Sequence, residues 1–521
     1  MPDAITETMV APLALLPVIL LAAARPGKRP GSLPLLAELA AFAAFGLTLV
    51  GLAQNVLGTY TGIAVLEAPF TLALRADLVA ASLAALVGFI GWIVMRYSRT
   101  YLDGEAREGA FHGLMLTALA AVLVFVQAGT LPTLILATVA VGLALRKLLL
   151  FYSDRPEAQR AATKFAYVWH GGDVLLAVAA GLLFSRFGTL DLAALPVAAT
   201  TDGLGLVGTL GVAAIVAAAA LKTAAFPLHG WLTEVMEAPT PVSALLHAGI
   251  INSGGVLLIT AAALVQQSTG AMAALVMIGG FTALFGAAVM LTQSAIKTAL
   301  AWSTVSQMGF MLLQCGLGLW TLALLHIVAH SLYKAHAFLS SGTAVSEVSN
   351  IRRPGPVAVP SVPAVLKSFA LALVIFAAIA ASFTFAFGPK TPQALALGAI
   401  LIFGVAYLVA QGLADRAPTQ LTKRTAAAAL AAAIGYFSFQ TLAQTIWGPV
   451  LPAAPMPGEL EWALLVVAVA SFGLVAFAQA LFPLWAHHPA TAGLRVHLAN
   501  GLYLNALLDR AIGGFRTTTT R

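Results

Sequence analysis

Long apolar stretches, separated by short polar ones, follow each other along almost the whole chain. Most of them hold about 20 residues, the length that an α-helix needs to cross roughly 30 Å of hydrocarbon. Fifteen stretches can be drawn, or fourteen if the tenth and eleventh run on through residues 316–320. Their approximate bounds are 9–24, 34–54, 77–96, 110–128, 130–151, 164–184, 205–226, 240–265, 271–292, 299–319, 321–345, 364–387, 393–413, 424–447 and 460–484. The pattern predicts an all-α polytopic membrane protein with about 15 transmembrane helices.

Composition excludes a large soluble protein. Of the 521 residues, 60% are hydrophobic and 9% are charged, whereas soluble chains have about 45–50% and about 25%. The single cysteine, Cys315, excludes an internal disulfide and a zinc site built from cysteines. The sequence contains no glycine-rich phosphate loop and no dinucleotide fingerprint. A nucleotide-driven pump is therefore not expected for this chain alone.

Lysine and arginine are distributed unevenly between alternate loops. With the N-terminus outside, nineteen of them fall in the cytoplasmic loops and tail, and only Arg75, Arg186 and Lys390 fall outside. Because positive charge is concentrated on the cytoplasmic side, we predict an outside N-terminus and a cytoplasmic C-terminus in the cell (inner) membrane. This topology also accounts for the net charge of +7, so no nucleic-acid partner is expected. Residues 1–8 lack the basic region of a cleavable signal, and the first stretch is expected to remain as a helix.

The last part of the chain, residues 487–521, is too polar to span a membrane. Apolar residues such as Leu498, Leu504 and Leu508 alternate there with polar ones. This pattern is typical of an amphipathic helix that lies on the membrane surface or docks against a partner. A loosely ordered tail is the alternative. The residues predicted to contact a partner are Arg495, His497, Asn500, Tyr503, Asn505 and Arg510.

Ionisable side chains inside the apolar stretches are the first candidates for function. Each costs about 2.5–3.5 kcal/mol at the centre of a membrane helix, so such residues tend to be paired and functional. Asp173 lies halfway along the sixth stretch and Lys222 lies late in the seventh. We predict that they pair on an ion path, and a lysine that snorkels to the surface is the alternative. Pro227, Pro239 and Pro241 interrupt the following region, as at the ion sites of transporters with broken helices.

Three titratable residues, His326, His330 and Lys334, occupy positions i, i+4 and i+8 of the eleventh stretch. This spacing places them along one helix face at steps of about 6 Å, which suits a proton relay. Zinc bound by the two histidines is an alternative, but no neighbouring carboxylate or thiolate completes a ligand set, so no metal site is predicted. Histidines that only pack against a neighbouring helix are the other alternative. His247, in the eighth stretch, is a further candidate for the path.

Three ordered motifs carry a family resemblance: KTAAFPLHGWLTEVMEAPTPVSALLHAGIINSGGVLLI at 222–259, IKTALAWSTVSQMGFMLL, and HIVAHSLYKAHAFLSSG. They resemble the antiporter-like membrane subunits of respiratory complex I and the Mrp cation/proton antiporters. The resemblance covers roughly residues 75–345 and implies two inverted five-helix repeats, each with a broken helix. The roles that it implies are a channel lysine for Lys222, a coupling histidine for His247 and a central relay for His326, His330 and Lys334. Glu234 and Glu237 fall in the family's acidic loop between helices seven and eight and are expected to support the path. Lys297, in the run IKTALAWSTVSQMGF, is a further supporting candidate, and a loop lysine without a role is the alternative.

Two positions depart from the pattern of that family. Val139 stands where the family has a glutamate on its fifth helix, so Asp173, which matches the family's second acidic position, is expected to replace it. Residues 368–389 contain no Lys, Asp or Glu where the family has a lysine, and Lys367 lies at the start of that stretch. The second half is therefore expected to be degenerate, which does not suit a redox-driven pump. The chain also stops soon after the fifteenth stretch, so the long lateral helix of the complex I subunit is not expected.

The tail motif RVHLANGLYLNALLDR resembles the membrane subunit of the DAB inorganic-carbon accumulation complexes (DabB-like). This resemblance implies a large cytoplasmic DabA-like partner that contains zinc and resembles a β-carbonic anhydrase. Zinc is thus expected in the partner and no cofactor in this chain. The expected function is a subunit in the lipid bilayer that conducts protons or sodium ions and energises accumulation of CO2 or bicarbonate. The alternatives are a subunit of a complex I- or hydrogenase-type redox pump, an Mrp-type antiporter subunit, and a membrane anchor without ion conduction.

These inferences predict five regions along the chain. They are the first three transmembrane helices (1–109), the first antiporter-like repeat (110–265), the second, degenerate repeat (266–413), the C-terminal transmembrane helices (414–486) and a cytoplasmic amphipathic tail for partner docking (487–521).

Overall fold

The computed structural model describes residues 6–58, 63–66, 71–342, 361–412, 419–485 and 488–511. Fifteen long helices, α1 to α15, hold most of these described residues, and each coincides with one of the predicted apolar stretches. Their bounds are Glu7–Ala24 (α1), Leu33–Val56 (α2), Leu78–Tyr101 (α3), Glu108–Val126 (α4), Leu131–Leu149 (α5), Pro156–Phe187 (α6), Gly205–Lys222 (α7), Thr240–Thr260 (α8), Thr269–Met290 (α9), Ile296–Gly316 (α10), Trp320–Leu339 (α11), Val362–Phe387 (α12), Pro392–Gly412 (α13), Thr419–Trp447 (α14) and Glu459–Ala480 (α15).

The predicted fold class, an all-α polytopic membrane protein, is confirmed. In the described part of the chain, 13 helices are long and apolar enough to cross a membrane by length and composition. The other two of the fifteen are α10 and α13. Residues 317–319 separate α10 from α11, so the tenth and eleventh stretches are two helices and not one. The number of crossings stays a prediction.

A short β-hairpin, which the apolar pattern does not predict, lies between α2 and α3. Its strands, β1 (Ile63–Leu66) and β2 (Leu72–Arg75), pair antiparallel with Ile63 opposite Arg75. The backbone N–H of Arg75 donates to the carbonyl of Gln127 at 2.7 Å, which attaches β2 to the end of α4. The side of the bundle that carries this hairpin is called the hairpin face.

The opposite side of the bundle, called the tail face, carries the C-terminal residues. Two short helices, α16 (Ala492–Ala499) and α17 (Leu504–Ala511), follow α15. The side chain of Gln293, which follows α9, donates to the carbonyl of Ala499 at 3.3 Å. The N-terminal end of α1 lies at the hairpin face, because Thr8 packs against Gly51 near the end of α2. The described chain therefore begins and ends at opposite faces, and the assignment of the tail face to the cytoplasm stays a prediction.

The region after Lys222 is interrupted, as the prolines predict. The chain leaves α7 at Lys222, and α8 is itself broken, because its first helical segment ends at Ala248 and its second begins at Ser253. Gly249, at the break, has φ −120° and ψ −74°. In contrast, α12 runs without interruption from Val362 to Phe387. The relation between the two repeats stays a prediction.

Small residues let α9 and α10 approach closely, as is common in membrane bundles. A Cβ atom at Gly279 would lie 2.4 Å from the backbone nitrogen of Leu313, and one at Gly309 would lie 2.4 Å from that of Ala283. Glycine at both positions therefore sets the distance between these helices. On another side of α10, Thr304 contacts His247 of α8.

Candidate ion pathway

A buried ion pair joins α6 to α7. The ammonium of Lys222 lies 2.6 Å from Oδ1 of Asp173, and the two side chains are 0% and 7% exposed. The same ammonium lies 4.2 Å from the ring centre of Trp169, at the distance of a cation–π contact. The structure thus contains the contact predicted from the sequence, and the lysine does not snorkel. The role of the pair in ion movement stays a prediction.

The local sequence makes room for this pair. α6 begins at Pro156, a residue favoured in the first turn of a helix, and runs for 32 residues across the site. A Cβ atom at Gly172 would lie only 3.3 Å from Cγ and Cε of Lys222. Because glycine precedes Asp173, the lysine side chain can lie flat against α6 and reach the carboxylate.

A third side chain contacts the same carboxylate. Nδ1 of His170 lies 2.7 Å from Oδ2 of Asp173, and the histidine side chain is 32% exposed. Each carboxylate oxygen therefore has one basic partner, Lys222 on one side and His170 on the other. Sequence reasoning missed His170, although its i, i+3 spacing to Asp173 in the run HGGD places both on one helix face.

The predicted coupling histidine lies in the first half of the broken helix α8. Nδ1 of His247 lies 3.1 Å from Oγ1 of Thr304 on α10. Its ring stacks on that of Phe338 on α11, with 4.3 Å between the ring centres. Nε2 of His247 is buried and has no protein partner among the described residues. His247 thus contacts both helices that carry or flank the predicted relay.

The lysine of the predicted relay is held by uncharged oxygens. Nζ of Lys334 donates to the carbonyl of Leu300 and to the hydroxyl of Ser303, both at 2.9 Å. Both partners lie on α10. Within the described residues, Lys334 forms no ion pair, which distinguishes its site from that of Lys222.

The two histidines of the relay lie nearer the hairpin face. Nδ1 of His326 lies 2.8 Å from Oε1 of Gln314 on α10, and the ring centres of His326 and His330 are 6.0 Å apart. Neither nitrogen of His330 has a protein partner in the part of the chain described. A cavity of about 620 Å³, open at one side, adjoins both rings and is also lined by Gln314 and Tyr436.

The structure does not join these groups into one hydrogen-bonded chain. Over the described ranges, no hydrogen bond links Lys222 to His247, or His247 to His330. A small cavity of about 30 Å³ lies at the break of α8, beside Asn252 and Ser253, and most of its lining is apolar. Proton transfer along the whole set therefore requires water or side-chain movement. Three or more His, Cys, Asp or Glu side chains do not converge as metal ligands anywhere in the described ranges.

The acidic loop between α7 and α8 is bound to both α6 and the tail. Oε2 of Glu234 lies 2.7 Å from Nζ of Lys164, and Oε1 accepts from the side-chain amide of Asn505. Oδ1 of Asp509 lies 2.6 Å from the same ammonium, which is fully buried. Carboxylates from the loop and from the tail therefore share one lysine of α6.

Two other predicted supporting residues lie at the tail face without reaching the buried pair. Glu237 forms an ion pair with Arg155 at 3.0 Å, and both side chains are exposed. Nζ of Lys297 donates to Oγ1 of Thr240 at 3.3 Å. Their supporting roles stay predictions.

The predicted single amphipathic helix of the tail is two short helices. Leu502 and Tyr503 have φ of 53° and 60°, which ends one helix before the next begins. A Cβ atom at Gly501 would lie 3.3 Å from the ring of Trp302, so this kink packs against α10. Residues 486–487 and 512–521 lie outside the described residues.

The residues predicted for docking differ in their surroundings. Asn505 is half-buried and turned toward Glu234 and Lys164, so it bonds the tail to this chain. The other five are exposed: Arg495, His497, Asn500, Tyr503 and Arg510. Contact of these five with a partner stays a prediction.

His229, in the loop between α7 and α8, belongs to the apolar part of the tail face. Its side chain is almost fully buried, and its ring centre lies 4.9 Å from that of Trp302. Burial, together with the positive charge of Lys164, lowers the pKa of His229 to about 4. The imidazole is therefore neutral at physiological pH.

Sequence reasoning also missed Lys164 and Asp509. Lys164 marks the start of the sixth apolar stretch, so the apolar pattern places it at a loop, whereas α6 already begins at Pro156. The run PEAQRAATK contains good helix formers after a proline, and this signal extends the helix into the polar region.

Comparison with known proteins gives three kinds of similarity. The family model described as NADH:quinone oxidoreductase/Mrp antiporter, TM, matches residues 128–410. The probable inorganic carbon transporter subunit DabB2 of Halothiobacillus neapolitanus is 35% identical over 481 residues, which are 90% of this chain and 86% of that protein. NADH-quinone oxidoreductase subunit L of Mycobacterium tuberculosis is 34% identical over 305 residues, 57% of this chain and 48% of that protein.

A solved structure has the same fold. The Mrp complex from Dietzia sp. aligns with 98% of this chain and 60% of its own matched chain, with a TM-score of 0.58 and 22% sequence identity.

Proposed function

Because this chain belongs to the NADH:quinone oxidoreductase/Mrp antiporter transmembrane family, we propose that it is the ion-conducting membrane subunit of a two-component inorganic-carbon accumulation complex. The observation that carries the proposal is the buried ion pair of Asp173 and Lys222. A charged pair inside a membrane bundle is expensive, and such pairs are characteristic of ion and proton paths. The similarity to a protein named as a probable inorganic carbon transporter subunit, over 90% of the chain, supports the choice of cargo.

The path runs through the titratable groups of two regions. A cation, in our proposal a proton, moves down its gradient past His326, His330 and Lys334, and past the Asp173–Lys222 pair. Sodium is the alternative ion. Lys222, His326 and Lys334 each form a hydrogen bond or ion pair with a neighbouring helix, so a change in their protonation would alter contacts between helices. His330 has no such partner and adjoins the cavity.

The second component is a large cytoplasmic DabA-like partner that contains zinc and performs carbonic-anhydrase-like chemistry. The tail, with its five exposed candidate residues, is the docking element. The tail is bonded to α6, the helix that carries Asp173. A change of charge at the buried pair could thereby reach the docked partner and favour hydration of CO2 in one direction.

The proposal is tested first by purification of the tagged, full-length protein in mild detergent, with identification of its partners and zinc analysis. A single large, soluble, zinc-containing partner is expected, and deletion of residues 487–521 is expected to remove it. A tail deletion that retains the partner would refute the docking role.

A subunit of a complex I-type redox pump is the second candidate, favoured by the similarity to NADH-quinone oxidoreductase subunit L. It predicts co-purification with subunits that bear quinone or iron–sulfur clusters. Several small membrane subunits would instead indicate an Mrp-type antiporter. Either set of partners would overturn the inorganic-carbon proposal.

A further inference from the structure

The carboxylate of Asp173 has two basic partners, one on each oxygen. Oδ1 lies 2.6 Å from the ammonium of Lys222, and Oδ2 lies 2.7 Å from Nδ1 of His170. Two cations on a single buried carboxylate would leave one positive charge without compensation, and a buried carboxylate without any cation would also be costly. The arrangement is therefore neutral when one of the two bases, and only one, carries a proton as a cation.

We propose that His170 is the alternative cationic partner of Asp173, so that Lys222 can release its proton without leaving the carboxylate uncompensated. This inference rests on the proposed function, and it concerns the same site. In one state Lys222 is an ammonium and His170 is neutral, with the hydrogen on Nδ1 donated to Asp173. In the other state one proton has moved: Lys222 is a neutral amine, Nε2 of His170 has gained the proton, and Asp173 is a carboxylate throughout. The three groups have a net charge of zero in both states.

The surroundings of His170 suit this role. Lys222 is fully buried and the Asp173 side chain is 7% exposed, whereas the histidine side chain is 32% exposed. His170 is thus the member of the three that reaches the outer surface of the bundle, on the side of α6 where Tyr167 and Val174 are exposed. The cation of a second protonation state would therefore lie at the edge of the α6–α7 contact and not inside it.

The helix beside α6 also leaves space for the imidazole. A Cβ atom at Gly142 of α5 would lie 2.8 Å from Cε1 of His170, so glycine at this position allows the ring to lie against α5 while Nδ1 faces Asp173. Val139, one turn earlier on α5, provides no carboxylate. Asp173 is therefore the acid that both bases share.

A thermal-stability cycle on the purified full-length chain tests charge compensation without measuring transport. Lys222→Met alone is expected to lower the melting temperature only slightly, because His170 becomes the cation. Lys222→Met combined with His170→Gln is expected to lower it by more than the sum of the two single shifts, since Asp173 is then buried without a cation. Adding Asp173→Asn to the double variant should recover most of that loss.

The matched control replaces His170→Gln by His336→Gln, a change at an exposed histidine of α11, and should give an additive shift. Additive shifts for Lys222→Met with His170→Gln would overturn the proposal. A Lys222→Met variant that cannot fold although His170 is present would overturn it as well, because His170 would then fail to compensate Asp173.

Ion flux gives the second readout. In proteoliposomes containing the purified complex, His170→Gln should slow proton flux about tenfold, since glutamine can still donate to Asp173 but cannot take up the proton that Lys222 releases, while the melting temperature stays close to that of the unmodified protein. Full flux in His170→Gln would mean that the histidine only orients Asp173, and would overturn the proposal. Normal flux in Lys222→Met would instead refute the proposed ion path, so the two failures are distinguishable.

Discussion

Asp509, near the end of α17, lies 2.6 Å from the buried ammonium of Lys164 on α6. The same helix carries Asp173 nine residues further along, which is about 13 Å at 1.5 Å per residue. Glu234, from the loop that follows Lys222, binds the same ammonium at 2.7 Å. The tail is thus attached to both chain segments that flank the buried ion pair, α6 and the loop after α7.

The Asp509–Lys164 contact predicts how strongly the tail is attached to α6. Asp509→Asn should weaken the attachment by about 1 kcal/mol, because an ion pair is lost while Glu234 still compensates the charge of Lys164. Faster cleavage of the tail in limited proteolysis and reduced recovery of the partner are the expected observations. The matched control is Asp103→Asn, whose ion pair with Arg29 spans 3.7 Å and is exposed. Equal proteolysis of the two variants would argue against the attachment.

A pair of glycines tests the attachment of the tail at a second contact, that of Asn505. A Cβ atom at Gly230 would lie 1.9 Å from Oδ1 of Asn505, whereas one at Gly493 on α16 would meet nothing within 4 Å. Gly230→Ala should therefore displace α17 at a cost of about 1–3 kcal/mol, the usual penalty of overpacking. Gly493→Ala should be close to neutral. The melting temperature and the rate of tail proteolysis are measured for both variants. A Gly230→Ala protein whose tail is still protected from proteolysis would contradict the close contact between Gly230 and Asn505.

The buried ion pair predicts the residues whose loss stops ion movement. Lys222→Met should reduce proton flux in proteoliposomes by about a hundredfold, the lower range for removal of a proton-transfer group. Asp173→Asn should reduce it similarly, because the lysine loses its counter-charge. Lys28→Met, at an exposed lysine of the α1–α2 loop, is the control and should leave the flux unchanged. Undiminished flux in both buried-site variants would exclude this pair from the path.

Because His229 is buried as a neutral imidazole, we expect its contribution to the free energy of unfolding to be lost in acid. Its pKa is about 4 in the folded protein against about 6.5 for an ordinary histidine. A lowered pKa means that the contribution is fully present above about pH 6.5, and that it is lost as the pH falls from there towards 4. The loss amounts to up to about 3 kcal/mol, because a tenfold change in proton affinity corresponds to about 1.4 kcal/mol.

Unfolding of the purified protein between pH 7.5 and pH 4.5 measures this effect. His229→Gln should show a smaller loss of stability over that range than the unmodified protein, and His488→Gln, at an exposed histidine of the tail, should show the same loss as the unmodified protein. Identical acid sensitivity of His229→Gln and the unmodified protein would contradict the assignment.

Much of the path was predictable because a membrane restricts where charge can go. An unpaired charge in hydrocarbon is expensive, so the contact between Asp173 and Lys222 could be expected from their places in two neighbouring stretches. The spacing of His326, His330 and Lys334 also places them on one face of a helix. The sequence did not indicate Thr304 or Gln314 as partners of His247 and His326, since an uncharged side chain in a helix carries no signal of the helix that it faces.

The sequence by itself determined the helices and their order, because every backbone polar group in hydrocarbon must be bonded within its own segment and apolar runs of about 20 residues satisfy this requirement locally. Only the tertiary structure decided that His170 shares the carboxylate of Asp173 with Lys222, and that Lys164 binds residues of the tail. Those contacts depend on which sides of α6 face α7, the loop after it and α17. Helix rotation and the folding of polar ends are set by packing between segments far apart in the chain, and hydropathy does not record them.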